Sequence, residues 1–309
     1  MRRHPRKPLS SQRGVVAIIL FMILFMAGAS LFLTYVNNNV VNQQADLATM
    51  QAMRDAKEAL ISYAVLHGDY YGAAGAGPGH LPCPDSNGNG AENMPCSINA
   101  LGRIPQSVTL PSGAVFPLSS YNSNIDAQLW YGLANEVRRS PSAAFNSSTT
   151  SNLTLDGQGG VAAVLIAPGE GLPSQSRGNN NDANYLEAGN AGGPNFVTNN
   201  PADPDNFNDR VLSISIVEIM SPVTARIAET MKVQLDNFHT TNGNYPVDQT
   251  AFNGAFGAAP AWLAANNWPA VTSYVQVDDD TATLVFDSCN ITYTLSNTAG
   301  TITRTSSRC

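Results

Sequence analysis

The chain carries little charge, and the larger share of it is negative. Lys, Arg, Asp and Glu make up 13% of its 309 residues, and the formal net charge is −7. Five of the 16 basic residues fall within the first 13 positions, so the rest of the chain is more acidic still. Proteins that bind nucleic acid present clustered basic side chains to the phosphate backbone. We therefore predict no nucleic-acid partner.

The sequence also lacks the short motifs that mark common classes of enzyme. It contains no G-x-S-x-G, H-E-x-x-H, C-x-x-C or P-loop sequence. Three of its four histidines, His67, His80 and His239, fall at predicted helix ends or in loops without an evident partner. A histidine at a helix end is more often a favourable contact with the helix dipole than a base. We therefore predict that the chain is not an enzyme, and a membrane-anchored hydrolase is the weakest alternative.

Two further groups of residues could carry chemistry. Asp203, Asp205 and Asp209 could form an acidic site, although acids in loops are more often solvated. Trp262 and Trp268, flanked by Pro260 and Pro269, could form an exposed platform for a sugar. We favour the simpler interpretation, in which the two indoles anchor a small core.

Cysteine is scarce, with four residues in the whole chain, all beyond position 80. This usage is typical of disulfides in an oxidising compartment. Four cysteines permit three pairings. We predict nearest-neighbour bonds, Cys83 with Cys96 and Cys289 with Cys309, because the two pairs fall in separate predicted lobes.

One long apolar run stands out against this polar composition. Residues 15–36 contain no charge, and as a helix they would extend about 33 Å, enough to cross a hydrocarbon core of about 30 Å. The basic leader, residues 1–14, precedes the run, and the first acid after it is Asp46. Positive charge stays in the cytoplasm, so the bulk of the chain is predicted to lie outside it. An ordinary single-pass membrane anchor would also explain the basic leader, the apolar run and this orientation.

The junction between leader and run adds a more specific signal. A glycine, Gly14, stands between the basic leader and the uncharged helix that starts at Val15. At these residues the chain resembles the type IV pilins and the type II secretion pseudopilins. The resemblance implies that a prepilin peptidase cleaves between Gly14 and Val15 and methylates the new amino terminus. It also implies a bacterial inner-membrane location, other pilin or pseudopilin subunits as partners, and a later place in a periplasmic or cell-surface filament.

One position departs from the pattern of that family. Most members carry a glutamate where this chain has Ile19, and that glutamate is thought to pair with the amino terminus of a neighbouring subunit. An isoleucine cannot form the pair. Among family members, the absence is shared by tip-type minor pseudopilins and some minor pilins. The resemblance therefore implies a structural minor subunit that initiates or caps a filament.

The predicted fold class is α+β, with a long N-terminal helix followed by an enlarged pilin-like head. After the transmembrane half, residues 37–67 form an amphipathic half, ended by a glycine-rich break. Its apolar stripe comprises Ala45, Ala48, Ala52, Ala56, Ala59 and Tyr63, widened by Met53, Leu60 and Ala64. A first head lobe covers 68–217, with a helix at 127–138, a buried strand at 161–167, a strand at 212–217 and a long Asn- and Gly-rich segment at 169–204.

A second pilin-like lobe covers residues 218–309. Ser221 and Pro222 predict a helix start, and Asn242-Gly243 predicts its end. Four β-rich runs follow, at 272–277, 282–286, 290–295 and 300–305, and they read as an antiparallel meander. The resemblance implies that a bond between Cys289 and Cys309 closes the head, as a carboxyl-terminal disulfide does in many pilins.

The first cysteine pair encloses a loop that partly matches a calcium motif. Asp85, Asn87 and Asn89 have the spacing of the first ligands of an EF-hand loop, but a cysteine replaces its final acid. Glu92 could substitute. The same alternation is typical of plain turns, so we predict no cofactor and keep calcium as the weaker alternative.

Four short segments extend the resemblance to large bacterial prepilin-like proteins, namely residues 81–85, 101–105, 184–187 and 207–210. These segments support the resemblance to the family but do not indicate a function. The alternative to a structural subunit is a membrane-anchored surface adhesin or ligand-binding protein, which would use the segment 169–204 to contact a glycan or a partner.

Overall fold

The computed structural model describes residues 12–72, 77–119, 128–140, 142–286 and 291–306. The chain forms two compact units, Met1–Gln51 and Ala52–Cys309. Helices and sheets are both present, so the α+β class is confirmed. The finer division into lobes at 68–217 and 218–309 stays a prediction.

The first helix, α1, spans Gln12–Tyr71 and contributes residues to both units. It contains the backbone of Gly14, Val15 and Ile19, but their side chains, like many in residues 15–36, lie outside the described residues. Five apolar side chains that are described here are exposed, namely Phe21, Met22, Leu24, Phe25 and Met26. No helix in the part of the chain that the structure describes is both long enough and apolar enough to span a membrane.

In the second unit, α1 buries one face. Its buried side chains recur at helical spacing and are Met53, Ala56, Leu60, Tyr63, Ala64 and His67. The predicted stripe is correct in its second half only, because Ala45 and Ala48 are exposed and Ala59 is half-buried. The helix ends at Tyr71, four residues beyond the prediction, where Gly72 adopts a φ of 58° that favours glycine.

The first sheet has six strands: β1 Leu101–Arg103, β4 Trp130–Leu133, β5 Leu153–Leu155, β6 Gln158–Ala167, β7 Asn195–Phe196 and β8 Arg210–Ser215. Their order is β1-β4-β6-β5-β7, and β8 also pairs with β6. A separate hairpin is formed by β2, Ser107–Thr109, and β3, Val115–Pro117. The strand predicted at 161–167 is confirmed as the buried part of β6.

The helix predicted at 127–138 is wrong. The described part of this segment forms β4 and then one 3₁₀ turn, Asn135–Val137. All four residues of β4 are buried, since β1 and β6 pair with its two edges. Gly132 leaves room for a neighbouring ring, because a Cβ added there would lie 2.6 Å from Cζ of Phe196. A strand buried on both faces has a continuous apolar run, which periodicity does not distinguish from a helix.

The second helix, α2, spans Ile216–Asn242 and begins six residues before the predicted start at Pro222. Ser215 and Glu218 form a capping box: Oγ of Ser215 accepts from N–H of Glu218, and Oε2 of Glu218 accepts from N–H of Ser215. The strand predicted at 212–217 therefore ends at Ser215. Pro222 lies inside the helix, and Gly243 ends it as predicted. Strands of both large sheets contact α2, namely β6, β8, β11 and β12.

The second sheet is the predicted meander. Its strands are β9 Thr272–Asp278, β10 Thr281–Phe286, β11 Ile291–Ser296 and β12 Thr301–Ser306, in the order β12-β11-β10-β9. Every strand boundary agrees with the prediction to within one residue. Buried and half-buried residues alternate along β10 and β11, as expected of a sheet with one covered face.

Two short helices, α3 Gln249–Gly254 and α4 Ala261–Ala265, precede this sheet. The side-chain amide of Gln249 lies along the edge of β9. Its Nε2 donates to the carbonyl oxygen of Thr272 at 3.2 Å, and its Oε1 accepts from N–H of Tyr274 at 3.0 Å. One side chain thus makes the two hydrogen bonds that a neighbouring strand would make at this place.

Candidate functional site

The longest irregular segment of the described chain connects β6 to β8, and we call residues 168–209 the long loop. It contains the whole Asn- and Gly-rich stretch predicted at 169–204, together with three 3₁₀ turns and strand β7. The residues that flank it, Ala167 and Arg210, face each other as partners in the sheet. Long irregular segments in compact domains are commonly functional, so this loop is the candidate site.

Two acids, Glu187 and Asp209, join the middle of the long loop to its end, and we call them the acid pair. Oε2 of Glu187 accepts from the backbone N–H of Asn208 at 3.2 Å and of Asp209 at 3.1 Å. In return, Oδ2 of Asp209 accepts from the backbone N–H of Glu187 at 3.0 Å and from Nδ2 of Asn190 at 2.9 Å. Each carboxyl group therefore binds the backbone of the other residue.

The acid pair is buried, and its titration is displaced. Asp209 is 5% exposed, and its Oδ1 is a buried oxygen without a hydrogen-bond partner. Burial raises the pKa of Asp209 to about 7, and the adjacent carboxyl group of Glu187 also raises it, while the N–H donors from Glu187 and Asn190 oppose the shift. This group consequently exchanges its proton near neutral pH.

A chain of hydrogen bonds continues from the acid pair to the start of the loop. Oε1 of Glu187 accepts from Nε2 of Gln175 at 2.7 Å, and Oε1 of Gln175 accepts from Nη2 of Arg177 at 3.0 Å. Nη1 of Arg177 donates to the carbonyl oxygen of Gly169 at 2.8 Å. The first turns of the loop are therefore bound to its middle through side chains.

Arg103 holds the loop against the sheet. Its guanidinium carbon lies 4.7 Å from the ring centroid of Trp130 and 4.6 Å from that of Tyr185. Nη2 also donates to the carbonyl oxygen of Asn179 at 3.1 Å. A buried guanidinium between two aromatic faces gains cation–π attraction from both, of about 0.5–2 kcal/mol each. The hydroxyl of Tyr185 accepts from N–H of Gly178 at 2.8 Å, which fixes the ring within the loop.

The disulfide loop lies beside this cluster. Cys83 and Cys96 are bonded, as predicted, with their Cα atoms 5.3 Å apart. Asp85 and Arg103 form an antiparallel bridge, and Nδ2 of Asn180 donates to the carbonyl oxygen of Asn87. The other predicted pair, Cys289 and Cys309, lies outside the described residues.

The oxygens proposed as calcium ligands already bind backbone amides. Oδ1 of Asp85 accepts from N–H of Asn87, Gly88 and Asn89, and its Oδ2 accepts from N–H of Gly90 at 2.6 Å. The amide oxygens of Asn87 and Asn89 each accept from an N–H two residues ahead, as in Asx turns. Among the described residues no group of three or more His, Cys, Asp or Glu side chains could hold a metal ion.

Glu92, the proposed substitute ligand, is used differently. Its Oε2 accepts from N–H of Cys83 at 3.2 Å, and its Oε1 lies 3.2 Å from Nη1 of Arg139. Arg139 also donates to the hydroxyls of Tyr63 and Tyr71 on α1. Burial raises the pKa of Glu92, against the charge of Arg139 and the amide of Cys83, which lower it. This acid therefore ties the disulfide loop to the helix.

The four segments quoted from the sequence meet here. Asp85 from 81–85 bridges Arg103 from 101–105, whose side chain stacks on Tyr185 from 184–187, and Glu187 of the same segment pairs with Asp209 from 207–210. Sequence reasoning gave Asp209 as an acid-site candidate but grouped it with Asp203 and Asp205. Those two acids are exposed, and Asp203 binds Asn206. Glu187 was not predicted as its partner, because only the fold brings the two together.

The histidines do have partners, contrary to the prediction. Nδ1 of His67 lies 3.1 Å and Nδ1 of His80 lies 2.9 Å from the carbonyl oxygen of Gly77, and Nε2 of His80 lies 2.8 Å from that of Ala143. His239 lies 2.8 Å from Oδ1 of Asp280 at the end of α2.

Trp262 and Trp268 are buried, which confirms that they are core anchors and not an exposed platform.

The chain was compared with protein-family models, with curated proteins and with solved structures, and it matches none of them.

Proposed function

We propose that the chain is a minor pilin or pseudopilin subunit that initiates or caps a filament of a type IV pilus or type II secretion system. A prepilin peptidase would cleave it between Gly14 and Val15 and methylate Val15. Before assembly, it would lie in the bacterial inner membrane as a single-pass protein with its C-terminal domain outside the cytoplasm. The observation that carries the proposal is the continuous helix α1, which contains this junction and whose second half packs on the folded domain.

The two ends of α1 support the proposal in different ways. Near its start, described apolar side chains are exposed, with Phe21 at 72% and Met26 at 71%, so they are free to meet lipid or another subunit. From Met53 onward, one face is covered by the chain's own domain. A filament subunit needs this combination, because the same helix must be shared with neighbours at one end and carry a head at the other.

Intact-mass spectrometry of the protein from cells with and without the prepilin peptidase tests the proposal. We expect a chain that begins at methylated Val15 when the peptidase is present and at Met1 when it is absent. Gly14→Ala should block cleavage, whereas Gly28→Ala, a glycine within the apolar run, should leave it unchanged. Cleavage after residue 36, or a mature protein that retains Met1, would overturn the proposal.

The second candidate is a surface adhesin or ligand-binding protein that uses the long loop. It is favoured by one observation: the loop exposes small polar side chains such as Ser174 and Ser176 on a backbone that the acid pair and Arg103 hold in place. Binding of the full chain to a glycan array should be lost in the double variant Ser174→Arg, Ser176→Arg. A matched double variant on the far helix, Glu229→Arg with Thr240→Arg, should bind normally. Equal binding by both variants would count against the loop.

A further inference from the structure

We propose that Glu187 and Asp209 form a proton-operated latch, which holds the long loop closed when Asp209 is protonated and releases it when both carboxyl groups are ionised. The proposal deepens the second candidate function, since it states what regulates the loop. Its test measures the loop itself, so it stands or fails separately from ligand binding and from filament assembly.

The first argument is the reciprocity of the contacts. Four hydrogen bonds join residues 187–190 to residues 208–209, and every one of them ends on a carboxyl oxygen of the acid pair. The two stretches are far apart in sequence, and one of them leads directly into β8. Separating the two carboxyl groups would therefore break all four bonds at once and free residues 187–190 from residues 208–209, while Arg103 and β7 still bind the loop to the sheet.

The second argument concerns Oδ1 of Asp209, a carboxyl oxygen that takes no part in these four hydrogen bonds. Oδ1 of Asp209 is buried and accepts no N–H, and the carboxyl group of Glu187 is adjacent, since each carboxyl group accepts from the backbone N–H of the other residue. A proton on Oδ1 converts this oxygen from an unsatisfied acceptor into a donor to Glu187. The latch thus has a place for one proton on Asp209, beside the carboxyl group of Glu187.

The third argument is the charge around the pair. Within the pair, Glu187 faces Asp209, and the cations Arg177 and Arg210 adjoin the pair. Arg177 acts through Gln175, to which its guanidinium donates, and Arg210 follows Asp209 at the first position of β8. Without the proton, two negative charges would face each other in a buried place, which costs far more than it does in water. Burial and this repulsion raise the pKa of Asp209 to about 7.

The direction of the pH effect follows. The folded pKa of Asp209 lies above its ordinary value of 3.8, so the closed loop binds a proton that the open loop releases. Closure is fully favoured below the ordinary value, and the closed-to-open ratio falls by up to about tenfold per unit of pH between the ordinary value and the folded value. Above the folded value both forms of the loop have lost the proton, so the ratio changes no further.

Hydrogen exchange on the full-length protein in detergent micelles tests the latch. The amides of Glu187, Asn208 and Asp209 are followed at about pH 5.5 and about pH 8.5, with rates corrected for intrinsic exchange. We expect their protection factors to fall about tenfold or more at the higher pH, with no matching change in β10 and β11. Carboxyl carbon NMR should show Asp209 titrating near 7. Unchanged protection, or a midpoint near the ordinary value, would overturn the proposal.

Variants separate the latch from general destabilisation. In Asp209→Asn, the amide donates to Glu187 and still accepts from the backbone, so protection should stay high at both pH values. In Glu187→Gln, the opposing charge is lost, and the midpoint for Asp209 should fall. Asp205→Asn, an exposed acid of the same loop, is the matched control and should behave like the parent chain. A pH-dependent loop in a folded Asp209→Asn protein would contradict the latch.

Discussion

Nζ of Lys57 in α1 lies 2.5 Å from Oε1 of Glu218 in the first turn of α2. The same ammonium group donates to the carbonyl oxygen of Ser213 at 2.8 Å, just before the helix begins. Glu218 thus performs two tasks, since its other oxygen closes the capping box on Ser215. The N-terminus of α2 is thereby fixed both by its own cap and by the first helix.

Substitution of Glu218 should separate these two tasks. Glu218→Gln keeps an acceptor for N–H of Ser215 and loses only the partly exposed ion pair, so it should cost about 0.5 kcal/mol. Glu218→Ala removes the cap as well and should cost about 1–2 kcal/mol of unfolding free energy. Urea titrations of the full chain measure both, with Glu229→Ala as an exposed control on the same helix. If both variants lost the same unfolding free energy, the capping box and the ion pair would not contribute separately as proposed.

The carboxylate of Asp85 should be the main support of the disulfide loop. Asp85→Ala removes an acceptor from four backbone N–H groups, of which those of Asn87 and Asn89 keep a second acceptor, and should cost about 2–4 kcal/mol. Limited proteolysis should then cut within residues 86–92, where the parent chain resists. Ser86→Ala, which removes one exposed hydroxyl bond, should cost no more than about 0.5 kcal/mol. A stable Asp85→Ala variant with an intact loop would show that the disulfide alone suffices.

Gly132 in β4 should not tolerate a side chain. Gly132→Ala places a Cβ 2.6 Å from the ring of Phe196, and this overpacking should cost about 1–3 kcal/mol. Gly159→Ala in β6 is a matched control, because nothing lies within 4 Å of its added Cβ. Thermal unfolding of both variants measures the difference. Equal melting temperatures would mean that Phe196 moves away without cost.

His80 should make the fold sensitive to acid. A neutral imidazole has one N–H, so it donates to only one of the carbonyl groups of Gly77 and Ala143. Burial lowers the pKa of His80 below 6.5, against the two carbonyl groups, which raise it. The unfolded chain therefore binds the extra proton first, and stability falls as pH drops below about 6.5. Urea titrations at several pH values should show a smaller loss for His80→Gln; an identical profile would exclude the effect.

The second sheet could be predicted from the sequence because the patterns that specify its strands and turns are local. Strands β10 and β11 alternate buried and half-buried residues, and stretches rich in Asp, Ser, Asn and Gly separate the four β-rich runs of the sequence. The disulfide between Cys83 and Cys96 was accessible for the same reason, since its loop is short and rich in turn residues. In α1, helical spacing identified the buried face from Met53 onward.

Some errors arise where tertiary contacts decide, and one, the start of α2, arises from a local signal that was missed. The run around Trp130 and Leu133 has the composition of a buried helix, and only pairing on both edges makes it a strand. The start of α2 was placed at Pro222, although Ser215 and Glu218 carry the spacing of a capping box. The acid pair could not be found at all, because no local pattern relates Glu187 to Asp209.

The amide of Gln249 along β9 has a consequence for how copies of this chain can meet. An open strand edge is a template on which a second sheet can grow, and growth of this kind has no natural end. Here the edge is closed at Thr272 and Tyr274 by a side chain of the same molecule. A second copy of this chain is thereby prevented from adding a strand to β9 at Thr272 and Tyr274, and the sheet cannot be extended there without displacing Gln249.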